Sequence, residues 1–219
     1  CRAFKDKFPD SHLTLGIGNK YKHVEPLFHN NSLIDDIHIW SSYDSWPQKK
    51  DVEYVNHKKF DIIFNAMPQH TRSDWYNHDH YCEEYCKIHK LPIPNDISCY
   101  LNPWFKKLDN CNKNITLSMF PSFDKGQEKS LSIPKLEELC IDIKKLGFSP
   151  IQLGGQYEHT LENAEKPNLS IVEAARLLYS SILHITADCS FSWISSAYKC
   201  PTIGIYTNNL PQMTNSWSH

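Results

Sequence analysis

The stretch ILHITADCSFSWISSAYKCPTIGIY, residues 182–206, decides the fold class. Its two apolar runs, ILHITA and TIGIY, have the length of strands and are rich in β-branched residues. A polar junction follows the first run, and then comes WISSAYK (193–199), which we predict to be a short helix. A strand, a helix and a second strand in this order predict a βαβ unit of a parallel sheet.

The same order of elements precedes this stretch. We predict strands over NITLSMF (114–120) and PIQLGG (150–155), and a helix over SIVEAARLLYSS (170–181) with a Ser cap and Glu173 three residues later. Between the two strands, IPKLEELCIDIKKLG (133–147) predicts an amphipathic helix that ends at Gly147. Its apolar face would hold Leu136, Leu139, Ile143 and Leu146. The whole region therefore predicts a doubly wound α/β sheet, whose ligands bind beyond the carboxyl ends of the strands.

The first part of the chain also alternates strands and helices. LTLGIG (13–18), LIDDIHIW (33–40) and FDIIFNAM (60–67) are predicted strands, and residues 73–90 are predicted to be helical. A segment with three prolines, residues 91–103, follows them. We place a domain boundary near residue 105, which gives two Rossmann-like α/β domains, 1–104 and 105–219.

Composition excludes some classes of partner. The chain has 23 basic and 25 acidic residues, a formal charge of −2, so we expect no nucleic-acid partner. No apolar run approaches the ~20 residues that cross a bilayer, and we expect a cytoplasmic protein with at most peripheral membrane contact. Its eight cysteines are scattered along a chain too long to need disulfides, so we expect them to be reduced.

Three predicted strand ends carry small or charged residues that suit an anionic ligand. They are PSFDKGQEK (121–129), GGQYE (154–158) and DCSFSW (188–193). Helix amino termini favour anions, because unpaired N–H groups and the helix dipole coincide there. Lys129 would supply a positive charge, and Glu158 would accept hydrogen bonds from ribose hydroxyls. The alternative is that these junctions are ordinary caps and turns.

On these residues the chain resembles the glycosyltransferase family 9, the ADP-heptose:lipopolysaccharide heptosyltransferase group. In that family a strand ends in Asp-Thr-Gly, a His follows on a short helix, and Pro-Thr opens the next strand. Here the corresponding residues are Asp188, Cys189 and Ser190, then Trp193, then Pro201–Thr202. The segments SMFPSFDKGQEKSLSIPKLEEL and PIQLGGQYE are similar to other parts of its second domain, and CRAFKDKFPDSHLTLGIG and FDIIFNAMP to parts of its first.

The resemblance implies a GT-B fold and an inverting, metal-independent transfer of a heptose-like sugar from a nucleotide-diphosphate donor to a glycan or lipid-linked glycan, with no cofactor. The acceptor-side base would precede Cys1, and we expect the chain to lack both ends of the family's fold. Asp188 would fix the loop amides and cap the turn, and Trp193 would open the helix. The expected donor-binding residues are Ser122, Asp124, Lys129, Gly154, Gly155, Glu158, Asp188, Cys189, Ser190, Ser192 and Trp193.

Three alternatives stay open at this point. HDHYCEEYCKIH (78–89) places His78, Cys82, Cys86 and His89 on one predicted helix, which suits zinc, although one straight helix cannot surround a metal. A non-catalytic nucleotide- or sugar-binding module would share the fold. A nucleophilic Cys189 on a strand-to-helix turn is the third, but the sequence assigns no His as its partner.

Overall fold

The computed structural model describes residues 1–41, 58, 60–62, 81–95, 101, 105–120 and 130–207. The chain divides into two compact units, Cys1–Ile97 and Ser98–His219. The domain boundary that the sequence predicts near residue 105 stays a prediction. Among the described residues, no helix is both long and apolar enough to cross a lipid bilayer.

In the first unit, two parallel strands pair in register from Thr14 opposite Asp36 to Gly18 opposite Trp40. This confirms two of the predicted strands, whereas the strand predicted over 60–67 lies largely outside the described residues, as does the first half of the helix predicted over 73–90. Described elements of the unit are α1 (Arg2–Lys7), β1 (Thr14–Gly18), a 3₁₀ helix (Asn19–Phe28), β2 (Asp36–Trp40) and α2 (Tyr81–Ile88).

The Asp35 carboxylate contacts both helix α1 and the residue before β1. Lys5 Nζ lies 2.6 Å from Asp35 Oδ2, and the Leu13 amide donates to the same oxygen at 2.6 Å. The backbone hydrogen bond from Leu13, followed by that from Lys5, lowers the pKa of Asp35. A small apolar cluster of Ala3, Cys86 and Leu91 packs α1 against α2.

The second unit contains a parallel sheet whose described strands have the order β4-β3-β5-β6. Every predicted strand of this region is present, with each end within three residues of the predicted one. Its described elements are β3 (Asn114–Ser118), α3 (Ile133–Lys145), β4 (Ser149–Gln152), α4 (Ile171–Ser180), β5 (Leu183–Ala187), α5 (Ser190–Ala197) and β6 (Thr202–Ile205).

The helix ends follow the local sequence closely. Ser170 accepts a hydrogen bond from the Glu173 amide while the Glu173 carboxylate accepts one from the Ser170 amide, so the predicted capping box of α4 is confirmed. Gly147 adopts a φ of +83°, which confirms it as the stop after α3. The prediction for Leu146 is wrong: it follows the last helical residue and its side chain is 74% exposed.

Strands β3 and β5 are the centre of the second unit's core. Their side chains alternate between two faces, since successive residues of a strand point to opposite sides. One face is apolar and packs against α3; its cluster comprises Ile115, Leu117, Met119, Leu136, Cys140, Ile143, Leu161, Ile185 and Ala187. The other face is polar although it is fully buried, and it holds Thr116, Ser118, His184 and Thr186.

Candidate functional site at the carboxyl edge of the second sheet

The strand order of the second unit creates a topological switch point between β3 and β5. The chain passes from β3 to β4 on one side and then to β5 on the other side of β3, so the direction of winding reverses there. In open parallel sheets of this kind, ligands bind in the crevice outside the carboxyl ends of the two strands at the switch point. Here those ends are Ser118 and Ala187, and the predicted DCSFSW junction follows the second of them.

Helix α5 begins next to this switch point. Its first residue is Ser190 and its N-cap is Cys189, which has extended backbone angles and makes no side-chain cap hydrogen bond. The amides of Ser190 and Phe191 have no acceptor among the described residues. Two unpaired N–H groups at a helix amino terminus favour an anion, and Ser190 itself is exposed.

Two details of the predicted junction are wrong. The helix was expected to open at Trp193, but it begins at Ser190, and Trp193 occupies its fourth position. The N-cap is Cys189, not Asp188. Both differences follow from Cys189, whose extended backbone ends the strand segment. Only Asp188 and Cys189 therefore separate Ala187 from the first helical residue.

Ser192 and Asp188 have surroundings that the sequence did not indicate. Ser192 is 1% exposed, and its hydroxyl donates to the Cys189 carbonyl at 2.7 Å, within the helix start. Asp188 is half-buried.

Burial, followed by the negative charges of Asp188 and Cys189, raises the pKa of Tyr206, the residue after β6. The Tyr206 hydroxyl is buried and has no hydrogen-bond partner among the described residues.

The loop after β4 is organised by a carboxylate. Glu158 Oε1 accepts a hydrogen bond from the Gly155 amide at 2.9 Å, while Oε2 is buried without a hydrogen-bond partner among the described residues. Burial raises the pKa of Glu158. A Cβ at Gly154 would collide with this carboxylate, so a side chain at position 154 would displace the Glu158 carboxylate from its place. The loop after β4 therefore holds a buried acceptor, Glu158 Oε2, beside Gly154.

This loop meets the chain that leaves β3. The rings of Phe120, which follows β3, and His159 lie 6.0 Å apart between centroids. The junctions after β3 and β4 are therefore neighbours. Residues 121–129, which include the predicted contacts Ser122, Asp124 and Lys129, lie outside the described residues.

A chain of buried polar side chains leads to the switch point. His184 is fully buried, with Nδ1 2.9 Å from Thr116 Oγ1 and Nε2 3.0 Å from Ser118 Oγ. Ser118 Oγ lies 2.8 Å from Thr186 Oγ1 and 3.5 Å from Cys189 Sγ. We call Thr116, His184, Ser118 and Thr186 the polar seam.

Sequence reasoning missed the polar seam, although the lone His in the apolar run ILHITA was its signal. The seam also bears on the hypothesis of a nucleophilic Cys189, because it places a single hydroxyl, that of Ser118, between an imidazole and the thiol. Burial lowers the pKa of His184 to about 4, so the imidazole is a poor acceptor for the thiol proton. The geometry therefore disfavours a Cys–His nucleophile.

The zinc hypothesis on residues 78–89 receives no support from the described part of that helix. Cys86 is buried in the apolar cluster of the first unit, and burial raises the pKa of its thiol. The His89 ring packs against Tyr85 at 4.4 Å between centroids. His78 and the side chain of Cys82 lie outside the described residues, and the described ones contain no group of three or more His, Cys, Asp or Glu side chains that could hold a metal.

No protein-family model matches the chain, and no curated protein sequence matches it. Solved structures do. The family 9 glycosyl transferase of Veillonella parvula DSM 2008 is 14% identical, with a TM-score of 0.75 over 98% of this chain and 77% of that one. The ADP-heptose LPS heptosyltransferase II of E. coli is 12% identical, with a TM-score of 0.70 over 100% of this chain and 82% of that one.

A further similar structure is the iron-containing dodecameric glycosyltransferase TibC of enterotoxigenic E. coli. It is 12% identical, with a TM-score of 0.58 over 93% of this chain and 52% of that one. At these identities the similarity concerns the fold. The chain therefore has the Rossmann-like α/β fold of family 9, heptosyltransferase-like glycosyltransferases.

Proposed function

We propose that this protein is a glycosyltransferase that binds a nucleotide-diphosphate sugar at the carboxyl edge of its second sheet and transfers the sugar to a glycan acceptor. The observation that carries this proposal is the helix start at the switch point. Cys189 and Ser190 follow β5 directly, and the amides of Ser190 and Phe191 have no acceptor among the described residues. A diphosphate is an anion of suitable size and charge for such a site.

Two further observations at the same edge support a polar ligand. Glu158 Oε2 and the Tyr206 hydroxyl are buried without a hydrogen-bond partner among the described residues. They follow β4 and β6, on either side of the switch point. A buried acceptor and a buried hydroxyl without partners are costly in a folded protein, unless a ligand or water completes them. A ribose diol would supply donors to Glu158.

The proposed roles follow from these positions. The α5 amides would hold the diphosphate, Gly154 and Gly155 shape the loop, and Glu158 would bind the ribose. Asp188 is anionic like the diphosphate and is therefore placed beside the site as an organising residue, not as a phosphate ligand. Lys129 would neutralise the leaving diphosphate as the bond to the sugar breaks.

The fold supports a donor of this class. The E. coli structure with a TM-score of 0.70 is described as an ADP-heptose LPS heptosyltransferase. We propose the same kind of chemistry here, with inversion at the anomeric carbon: an acceptor hydroxyl loses its proton to a base as it attacks, and the diphosphate leaves. The bond to the sugar forms on the face opposite to the departing group. We assign no residue of the chain as the base.

Calorimetric titration with ADP, GDP and UDP tests the proposal. We expect at least one of them to bind, with the same affinity in EDTA, because the site uses amides and a lysine in place of a metal. If none binds at millimolar concentration, the donor site is refuted. Binding that disappears in EDTA would refute metal independence. Binding without sugar transfer to any offered glycan would favour the non-catalytic module.

A further inference from the structure

The loop that follows β4 returns to the strand that it leaves. We call residues 153–166 the Glu158 loop. The chain leaves β4 after Gln152, the last residue of the strand, and comes back beside it at Glu165. The Glu165 amide donates to the Pro150 carbonyl at 3.1 Å, and the Glu165 carbonyl accepts from the Gln152 amide at 2.7 Å. The loop therefore begins and ends at one short strand.

The side chain of Gln152 is buried under this loop and contacts its main chain twice. Gln152 is 1% exposed. Its Nε2 donates to the His159 carbonyl at 2.6 Å, and its Oε1 accepts from the Leu161 amide at 2.9 Å. A backbone carbonyl can only accept and a backbone amide can only donate, so these two partners determine which way the side-chain amide points. Gln152 therefore binds the main chain on both sides of Thr160.

Other contacts hold the second part of the loop, residues 159–166, which we call the returning half. The Leu161 side chain is buried in the apolar cluster of the second unit. The Glu137 carboxylate, on α3, accepts from the Glu162 amide at 2.7 Å and from the Asn163 amide at 3.0 Å. The returning half is therefore attached to both β4 and α3.

Glu158 comes directly before the returning half. Its amide donates to the Gly155 carbonyl at 3.1 Å, and its carbonyl accepts from Lys166 Nζ at 2.7 Å. Its carboxylate accepts from the Gly155 amide through Oε1, while Oε2 lies over Gly154 and has no hydrogen-bond partner among the described residues. Because Lys166 belongs to the returning half, Glu158 keeps its position only while that half keeps its own.

We propose that Gln152 is a positioning residue that holds the returning half in place, so that Glu158 Oε2 already has a fixed position when a ligand arrives. The first half of this inference concerns the loop alone. The second half rests on the proposed function, in which the ribose diol of the nucleotide donates to Glu158. An acceptor that is buried and fixed discriminates against a ligand without the matching donor, whereas a mobile one can turn to water.

Amide hydrogen exchange of the ligand-free protein, followed by NMR, tests the first half. Gln152→Met keeps the length of the side chain but removes both hydrogen bonds, so we expect the Leu161 amide to exchange at least about fivefold faster. The Leu153 amide is the internal control, because it donates to the Leu117 carbonyl at 2.7 Å within the sheet, and its rate should not change. An unchanged rate at Leu161 in the folded variant, or an equal acceleration at Leu153, would overturn the proposal.

Nucleotides with and without the ribose diol test the second half. In calorimetric titration, we expect the parent to bind ADP, GDP or UDP at least about tenfold more tightly than its 2′,3′-dideoxy counterpart, which offers Glu158 no donor. In Gln152→Met this ratio of affinities should fall to about twofold, while the dideoxy nucleotide keeps its affinity because the α5 amides hold the diphosphate. An equal loss of affinity for both nucleotides, or an unchanged ratio, would overturn the positioning role.

Two results separate this inference from the proposed function. If no nucleotide binds the parent, the proposed function fails, but exchange at Leu161 still decides whether Gln152 holds the loop. If the parent binds a nucleotide and its dideoxy counterpart equally, the donor site stands, but the second half of this inference is refuted.

Glu137→Met is the matched control, because Glu137 holds the same half of the loop from α3. It removes the hydrogen bonds to Glu162 and Asn163 and leaves those of Gln152. We expect the melting temperature to fall, while the ratio of affinities stays within about twofold of the parental ratio. A ratio reduced as far as in Gln152→Met would mean that any loosening of the loop has the same effect, and would overturn the specific role of Gln152.

A measurement on the unmodified chain covers the case in which Gln152→Met does not fold. The side-chain amide of Gln152 carries two protons, and the one that faces the His159 carbonyl should exchange slowly with water in the ligand-free protein. NMR of the nitrogen-15-labelled protein measures both rates. Exchange of both protons as fast as in an exposed glutamine would show that Gln152 does not hold the loop, and would overturn the proposal.

Discussion

The two faces of the strand pair β3 and β5 are equally buried but differ in what holds them. On one face, Leu117 and Leu136 are 0% exposed and pack as hydrocarbon against hydrocarbon. On the other, His184 and Thr116 are also 0% exposed but are held by directed hydrogen bonds. The apolar face stabilises the fold by removing hydrocarbon from water. The polar seam stabilises it only while each of its hydrogen bonds has a proton on the donor atom.

The two faces also differ in what they contact. The apolar face packs against α3 through contacts between apolar side chains. The polar seam ends at Cys189, the N-cap of α5, where the switch point lies. A polar residue in a core is costly unless it is paired, and each of the four side chains of the polar seam has a hydrogen-bonding contact.

The largest expected effect is on the apolar face. Leu117→Ala removes a fully buried side chain and leaves a cavity, so the free energy of unfolding should fall by about 2–5 kcal/mol. Urea denaturation at pH 5.5 and pH 8 would measure it. Because the loss is a hydrocarbon term, the decrease should be equal at the two pH values. A decrease that depends strongly on pH would break the distinction between the two faces.

The stability that the polar seam provides should depend on pH. Burial lowers the pKa of His184 from 6.5 to about 4, so the unfolded chain takes up the proton before the folded chain does. The free energy of unfolding is therefore unaffected by His184 protonation above pH 6.5. It falls as the pH decreases from 6.5 towards 4, by roughly 3 kcal/mol in total. His184→Leu should remove that part of the pH dependence.

Denaturation of the parent and of His184→Leu over pH 4–8 isolates the His184 contribution, since carboxylates such as Glu137 titrate equally in both. The two curves of unfolding free energy against pH should diverge below pH 6.5. Parallel curves would mean that His184 is charged or exposed in the folded protein, contrary to its hydrogen bonds with Thr116 and Ser118.

A smaller effect is expected at the ligand edge. Lys129→Ala should weaken nucleoside diphosphate binding by about 1.5–3 kcal/mol, the usual value of a charge-assisted hydrogen bond. Calorimetric titration of the variant and the parent measures this loss of affinity. Lys145→Ala is a control, because that lysine pairs with Asp142 at the carboxyl end of α3. Equal affinities of Lys129→Ala and the parent, with both folded, would remove Lys129 from the donor site.

The sequence predicted the features that depend on local chemistry. Alternating runs gave the strands, and Ser170 with Glu173 gave the capping box. It also marked the junction after β5 as polar between buried runs. Leu146 was misplaced because periodicity alone does not show that Lys145 is the last helical residue. The start of α5 was placed late because the cap there is a cysteine without a side-chain hydrogen bond.

The polar seam could not be predicted in the same way, because it depends on which strands are neighbours. Thr116 on β3 lies opposite His184 on the adjacent strand β5. In the chain, a helix, a strand and a second helix separate these two strands. The lone His in an apolar run signals a buried polar partner, but the identity of that partner requires the strand order and register. Likewise, only the folded structure shows that Glu158 Oε2 lies over Gly154 and has no hydrogen-bond partner among the described residues.

The most direct test of the donor site at the switch point is a pair of identical substitutions at the two edges of one sheet. Ser190 lies exposed at the carboxyl edge, and Ser149 lies exposed at the amino end of β4. ADP, GDP and UDP titrated into the parent, Ser190→Leu and Ser149→Leu should bind the parent and Ser149→Leu equally. Binding to Ser190→Leu should be lost, because the leucine side chain occupies the space in front of the α5 amides, while its melting temperature stays close to that of the parent. Unchanged binding by Ser190→Leu, or its unfolding at a much lower temperature, would contradict the assignment of this junction as the ligand site.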